Sequence, residues 1–171
     1  LRAELFSADQ MEEHGRTLAR LHKLHLRPVP DQLLARLAAN ERALGEVCDL
    51  LTAELAGQRH RITPAGEWLL DNFYLIEEQI RTSRRHLPKG YIRSLPSLAN
   101  GPSSGLPRVY DIALEVVAHG DGHVDKEGLS RFMVAYQSQS PLRLGELWAI
   151  PIMLRLAVIE NLRRVAGRIA A

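Results

Sequence analysis

The chain has 171 residues, 46% of them apolar, enough for one ordinary domain with its own core. Its 22 basic and 20 acidic residues leave a formal charge of +2, which gives no broad electrostatic footprint for nucleic acid, although a sequence pI near 8.9 leaves room for a local basic patch. Aromatics are few (5%) while Leu and Ala are plentiful, which points away from a β-sandwich and toward packed helices.

In chain order, Ser7 caps a first helix over 7–25, with Leu18, Leu21 and Leu24 at helical spacing. Arg27-Pro28-Val29-Pro30 stops it, because proline disfavours helical geometry in the residue before it. His22 and His25 share a face of this helix with no carboxylate near them in sequence, and read as a solvated basic face beside Lys23 and Arg27. Asp31 caps a second helix whose Leu34, Leu37, Leu44, Val47 and Leu51 form an apolar stripe to about Leu55, with Gly57 as its stop. Cys48 is the only cysteine, so no internal disulfide forms and a reducing compartment is expected.

Thr63-Pro64 is a strong helix start, a hydroxyl cap followed by proline at the first helical position. Leu69, Phe73, Ile76, Ile80 and Leu87 then mark one face of a helix of about six turns. Carboxylates (Glu67, Asp71, Glu77, Glu78) fill its first part and Arg81, Arg84, Arg85 and His86 its end. That order suits the helix dipole and allows a Glu77–Arg81 pair, so the arginine run reads as a solvated helix end. Trp68, Asp71, Asn72 and Tyr74 lie off the apolar stripe. Aromatic and polar groups so placed can stack on and hydrogen-bond a sugar, but the plainer reading, a second buried face of a helix packed on both sides, carries more weight. Tyr91, just past the Pro88-Lys89-Gly90 break, joins that candidate set, or its hydroxyl only fastens the following loop.

Residues 88–107 form a long irregular segment that its Pro and Gly content keeps from being one helix. Its Leu-Pro pairs should pin it to the body, with "ANGPSSG" as a mobile tip. Helical pattern resumes over Val109–Ala118, breaks at Gly120-Asp121-Gly122 and returns from Asp125 to about Tyr136. Ser140-Pro141 opens the last helix, which Pro151 should kink. Its apolar stretch 144–162 is interrupted by Glu146, Arg155 and Glu160, and so reads as a buried helix rather than a membrane span. With no strand pattern and no repeat, the expectation is all-α: a single helical domain over 1–171, a bundle of about six helices with one long loop. No signal peptide is visible, and the missing Met and uncapped apolar end read as a piece of something longer.

"HGDGHVDKEGL" (119–129) resembles a calcium loop, but aligning on Gly122 puts Val117, His119 and Gly128 at positions that need oxygen ligands, so it reads as a tight turn between helices. His119 and His123, with Asp121 or Asp125 as a third ligand, make a weak metal candidate, and no metal is expected. Phosphate loops, dinucleotide fingerprints, nucleophile elbows and Asp-x-Asp are absent, and no catalytic residue is assigned. A helix-turn-helix formed by Asp125–Tyr136 and Pro141–Leu147 is the weakest reading, given the near-neutral charge; no nucleic-acid partner is expected.

The phrases "GEWLLDNF", "LPKGY", "PRVYD" and "GELWAIPIMLRLA.IENLRR" together resemble the cyclic β-1,2-glucan synthase family across residues 62–168; residues 1–61 match only in being helical and preceding that block. The resemblance implies a large, multi-domain bacterial inner-membrane enzyme that builds β-1,2-glucan from UDP-glucose and then cyclises it, with a glycosyltransferase module and a phosphorylase-like module. The matching block is similar to the segment N-terminal to the transferase module, and the transferase's Asp-x-Asp and Gln-x-x-Arg-Trp motifs have no matching positions here. It therefore implies a non-catalytic accessory domain without a cofactor of its own, in a soluble, cytoplasmic region of a membrane-bound parent. Its partners would be the other domains of the synthase, with the 88–105 loop as contact surface. The alternative is a β-1,2-glucan-binding module using Trp68, Asp71, Asn72, Tyr74 and Tyr91.

Overall fold

The structure, a computed structural model, describes residues 4–57, 61–87 and 89–171. Pro88, part of the expected helix break, lies outside them. Among the described residues there are seven helices and no strand: α1 (Ala8–Leu21), α2 (Leu33–Ala56), α3 (Pro64–Arg85), α4 (Lys89–Arg93), α5 (Arg108–His119), α6 (Lys126–Gln137) and α7 (Leu144–Ile169). The all-α expectation holds, with a short α4 inside the segment expected to be irregular.

The caps explain most boundaries. The Ser7 hydroxyl accepts the Gln10 N–H (3.3 Å) and the Gln10 side chain accepts the Ser7 N–H (2.8 Å), a reciprocal box that starts α1. Thr63 accepts from the Gly66 N–H (3.2 Å) at the head of α3, with Pro64 in the first turn. The Asp31 carboxylate accepts the Leu33 N–H (2.9 Å), so it serves the start of α2 although the helix proper begins two residues later. Asp125 caps α6 through the Gly128 N–H (2.6 Å).

Two boundaries depart from the sequence reading. Helix α1 ends at Leu21 rather than running to residue 25. The next residues are held by hydrogen bonds to a distant part of the chain: Ala99 N–H to Lys23 O (2.7 Å) and His25 N–H to Ser97 O (2.9 Å). Leu21 and Leu24 are accordingly exposed, and the buried stripe stops at Leu18 and Ala19. Helix α7 starts at Leu144, not at Ser140-Pro141. The Ser140 hydroxyl and Pro141 carbonyl are instead taken up by the Arg108 guanidinium, and the Arg143 N–H is met by Glu146 (2.9 Å).

The segment after α4 is the other correction. Its leucines pin it as expected, Leu95, Leu98 and Leu106 being buried. The expected mobile tip, however, is fastened. Asn100 accepts the Lys23 N–H (3.0 Å) and donates to Leu21 O (2.9 Å), thereby capping the end of α1. Ser103 is buried, and its hydroxyl donates to Asp111 of α5 (2.5 Å).

Helix α5 is the hub. Nine of its residues are buried, including Arg108, Tyr110 and Asp111, and it feeds two apolar cores. Val109, Ala113, Leu114 and Val117 join the core shared with α2, α3 and α7, while Ile112 and Val116 join the one shared with α1 and α6. Helix α7 packs on α5, α2 and α3, and α1 packs mainly on α6. Gly15 permits that last approach, since a Cβ there would lie 3.1 Å from the Phe132 carbonyl oxygen. The turn between α5 and α6 is as tight as expected, with Asp121 (φ 54°) and Gly122 (φ 77°) in left-handed geometry.

Candidate functional site

A cleft of about 470 Å³ lies where α3 faces α7 near the Gly122–Val124 turn. Trp68, Asn72 and Leu75 of α3 and Leu154, Arg155 and Val158 of α7 form its walls. Trp68, Leu75 and Val158 are substantially exposed, Trp68 at 54%. The expected second buried face of α3 is therefore not there: α3 packs on α2 and α7, and no described helix covers Trp68 or Tyr74 (64% exposed). Asn72 donates one N–H to the Trp68 carbonyl (2.8 Å), which fixes its amide and leaves the second N–H and the oxygen for a ligand.

Of the five residues singled out from sequence, the structure brings only Trp68 and Asn72 into this cleft. Asp71 and Tyr74 are exposed but do not line it. Tyr91 lies elsewhere, half-buried, its hydroxyl donating to the Gly145 carbonyl, so it fastens α4 to the start of α7. The cleft can take apolar side chains or an aromatic-stacked ring. Its polar equipment is sparse: Asn72, Gln79 and Arg155.

Polar chemistry is concentrated instead in three buried networks around α5, which sequence reasoning missed. Arg108 and Glu146 form a two-pronged ion pair, Nε to Oε2 and Nη2 to Oε1 both at 2.7 Å, with Ser140 Oγ and Pro141 O each accepting at 3.0 Å. Burial alone opposes the Arg108 charge, but the Glu146 carboxylate outweighs it and holds the guanidinium above its ordinary value. Glu160, fully buried, accepts from Arg36 and from the Tyr110 hydroxyl. Burial pushes the Glu160 carboxyl up, yet the hydrogen bonds from Arg36 and Tyr110 and the charges of Arg36 and Arg164 bring it below its usual range. Burial also drives the Tyr110 hydroxyl well above a normal phenol, reinforced by Glu160.

The third network corrects the basic-face reading of His22. That side chain is 7% exposed and sits between Asp111 (Nε2 to Oδ2, 2.7 Å) and the Tyr136 hydroxyl (Nδ1, 2.8 Å). Burial pushes the Tyr136 hydroxyl up to about 12, opposed by Arg108. Ser103, His22 and Asp111 do not make a nucleophilic relay, because Ser103 bonds the carboxylate rather than the imidazole. One signal was present in the sequence. Glu146 and Glu160 lie about four turns apart on nearly one face of an apolar helix, and "PRVYD" supplies Arg108, Tyr110 and Asp111 to meet them and His22.

The His119–His123 metal candidate does not assemble in the fold. His123 does not join His119; among the described residues it is His14, Glu115 and His119 that converge. Pro141–Leu147, the second helix of the helix-turn-helix reading, is not a helix of its own: its helical part is the first turn of the long α7.

No family model matches the chain. A curated protein does: the chain is 36% identical over 170 residues to the cyclic beta-(1,2)-glucan synthase NdvB of Rhizobium meliloti (strain 1021). The match covers 99% of this chain and so extends over the N-terminal helices that the sequence resemblance had left aside. The chain spans only 6% of that relative's length.

Proposed function

We propose, given that the chain is a segment of the cyclic β-(1,2)-glucan synthase family, that it serves as a helical accessory region whose α3–α7 cleft docks against another part of the same synthase. The observation that carries this is the exposed apolar wall of Trp68, Leu75 and Val158 on a chain whose matched relative extends far beyond it. An apolar surface of this kind is more economically covered by a neighbouring part of the polypeptide than left in water. The fastened 99–105 tip is a poorer contact surface than the cleft, because Asn100 and Ser103 are spent on α1 and α5. In this reading the parent takes glucose from UDP-glucose, the segment carries no catalytic group or cofactor, and it sits in a soluble, cytoplasmic part of a membrane-bound enzyme. No helix among the described residues is long and apolar enough to cross a membrane.

The test is Trp68→Ala combined with Val158→Asp in the full-length synthase. Glucan formation from UDP-glucose is expected to fall several-fold, with new protease cleavage near this segment, while the 171-residue chain carrying the same changes stays folded. Unchanged synthesis and an unchanged cleavage pattern would remove the cleft from the account.

A second reading, β-1,2-glucan binding, is supported by one observation: Trp68 and Asn72, an aromatic ring and an amide, both line the same open cleft. An NMR titration with linear β-1,2-gluco-oligosaccharides separates the two. Saturable shifts at Trp68 and Asn72 would favour it, and none at millimolar sugar would discard it.

A further inference from the structure

We propose that His14, Glu115 and His119 form a binding site for a divalent transition metal of the zinc type, clamping α1 to α5. This inference does not depend on the reading of the α3–α7 cleft.

Glu115 and His119 lie four apart on α5, so both project from one face, and α1 brings His14 across to them. One carboxylate oxygen, Oε2 of Glu115, lies 2.7 Å from His14 Nε2 and 3.1 Å from His119 Nε2. The three ligand atoms all fall within 4.8 Å of one another. Metal–ligand bonds near 2.0–2.1 Å in a tetrahedron need ligand atoms about 3.3 Å apart, so the two edges through Glu115 are close to that size and side-chain rotations of the order of an ångström or less bring the trio to it. Two imidazole nitrogens and a carboxylate are the donor set that zinc and its neighbours favour, whereas calcium and magnesium want oxygen alone. The side chains are 22%, 30% and 15% exposed, which leaves a fourth position open to water.

The surroundings orient the ligands. His119 Nδ1 lies 2.5 Å from the Glu4 carbonyl, the outer hydrogen bond that fixes a metal-binding imidazole with its Nε2 lone pair inward. His119 meets an oxygen at each nitrogen, the Glu4 carbonyl at Nδ1 and Glu115 Oε2 at Nε2. A ring that keeps the Glu4 bond can offer Nε2 to a cation shared with the Glu115 carboxylate. Phe6 stacks on the His119 ring at 4.1 Å, nearly parallel (4°), and holds its plane.

The test is calorimetric titration of the 171-residue chain with zinc chloride in a non-chelating buffer at neutral pH, repeated with cobalt(II) for its visible absorption. One equivalent should bind saturably, cobalt should give the intense bands of a tetrahedral site, and zinc at a hundredfold excess over Kd should raise the melting temperature by roughly 5–10 °C. His14→Ala and Glu115→Gln should each weaken binding at least about tenfold, whereas His123→Ala and His25→Ala should not. Because His14→Ala could loosen the fold, circular dichroism accompanies each variant, and the conservative Glu115→Gln carries the comparison if it does. The proposal is overturned by no saturable binding below millimolar zinc, or by equal losses in the His123 and His25 variants.

Discussion

Two sides of one helix, α7, make opposite use of their residues. Toward α5 and α2 it buries carboxylates, Glu146 and Glu160 both at 0% exposure. Elsewhere it leaves Trp148 (71%) and Val158 (38%) in solvent, the latter on the cleft with α3. A hydropathy ranking would place these groups the other way round. What decides is pairing: a buried carboxylate persists where a guanidinium or a phenol meets it, and an apolar side chain stays exposed where no element is there to cover it.

The largest effect that would break this contrast is at Glu146. Glu146→Ala leaves Arg108 buried without its partner and should cost about 3–5 kcal/mol in urea unfolding. The double change Arg108→Met with Glu146→Leu should recover most of that loss, because the penalty belongs to the orphaned charge. If the double variant is as unstable as the single one, the pair does more than satisfy itself. Next comes Asp111→Ala, which removes the acceptor of both His22 and Ser103 and should cost about 1–3 kcal/mol. Hydrogen exchange should then speed up together at residues 97–106 and at the end of α1, since that network fastens both.

A smaller effect is pH-dependent. The Glu160 carboxyl is held below its ordinary value, so its unfolded form binds a proton more readily than its folded form. Its contribution to stability is therefore complete above about pH 5.5 and is lost as pH falls through the unfolded value near 4.3 and then the folded one. Wild type should exceed Glu160→Gln in stability at pH 7, with the gap closing on acidification; a gap that stays constant would contradict the lowered carboxyl. The smallest effect is expected on the cleft. Trp68→Ala should shift the stability of the 171-residue chain by no more than about 0.5 kcal/mol, because the indole is mostly in solvent. A loss of several kcal/mol would mean that Trp68 supports the fold, and that the cleft is no free surface.

The helices were legible because their signals are local. Ser7, Thr63-Pro64, Asp125 and Gly57 mark ends through contacts a few residues away, and the apolar stripes of α2 and α3 report which faces turn inward. Failures came where a distant partner captured a local group. Ser140-Pro141 looks like a helix start and is a ligand for Arg108; residues 23–25 carry a helical pattern and are drawn out of α1 by the 97–99 backbone. His22 has no carboxylate near it in sequence and one 2.7 Å away in space.

The candidate site divides the same way. Sequence alone determined that this is an all-helical chain with no assignable catalytic motif, and its phrases pointed to the synthase family, because composition, caps and motif identity are properties of neighbouring residues. Only the tertiary structure decided which polar groups are buried, that Trp68 and Asn72 share an open cleft without Asp71, Tyr74 or Tyr91, and that His14 meets Glu115 and His119 from another helix. Those juxtapositions depend on how α1, α3, α5 and α7 cross, and packing geometry between helices is not carried by any one segment's periodicity.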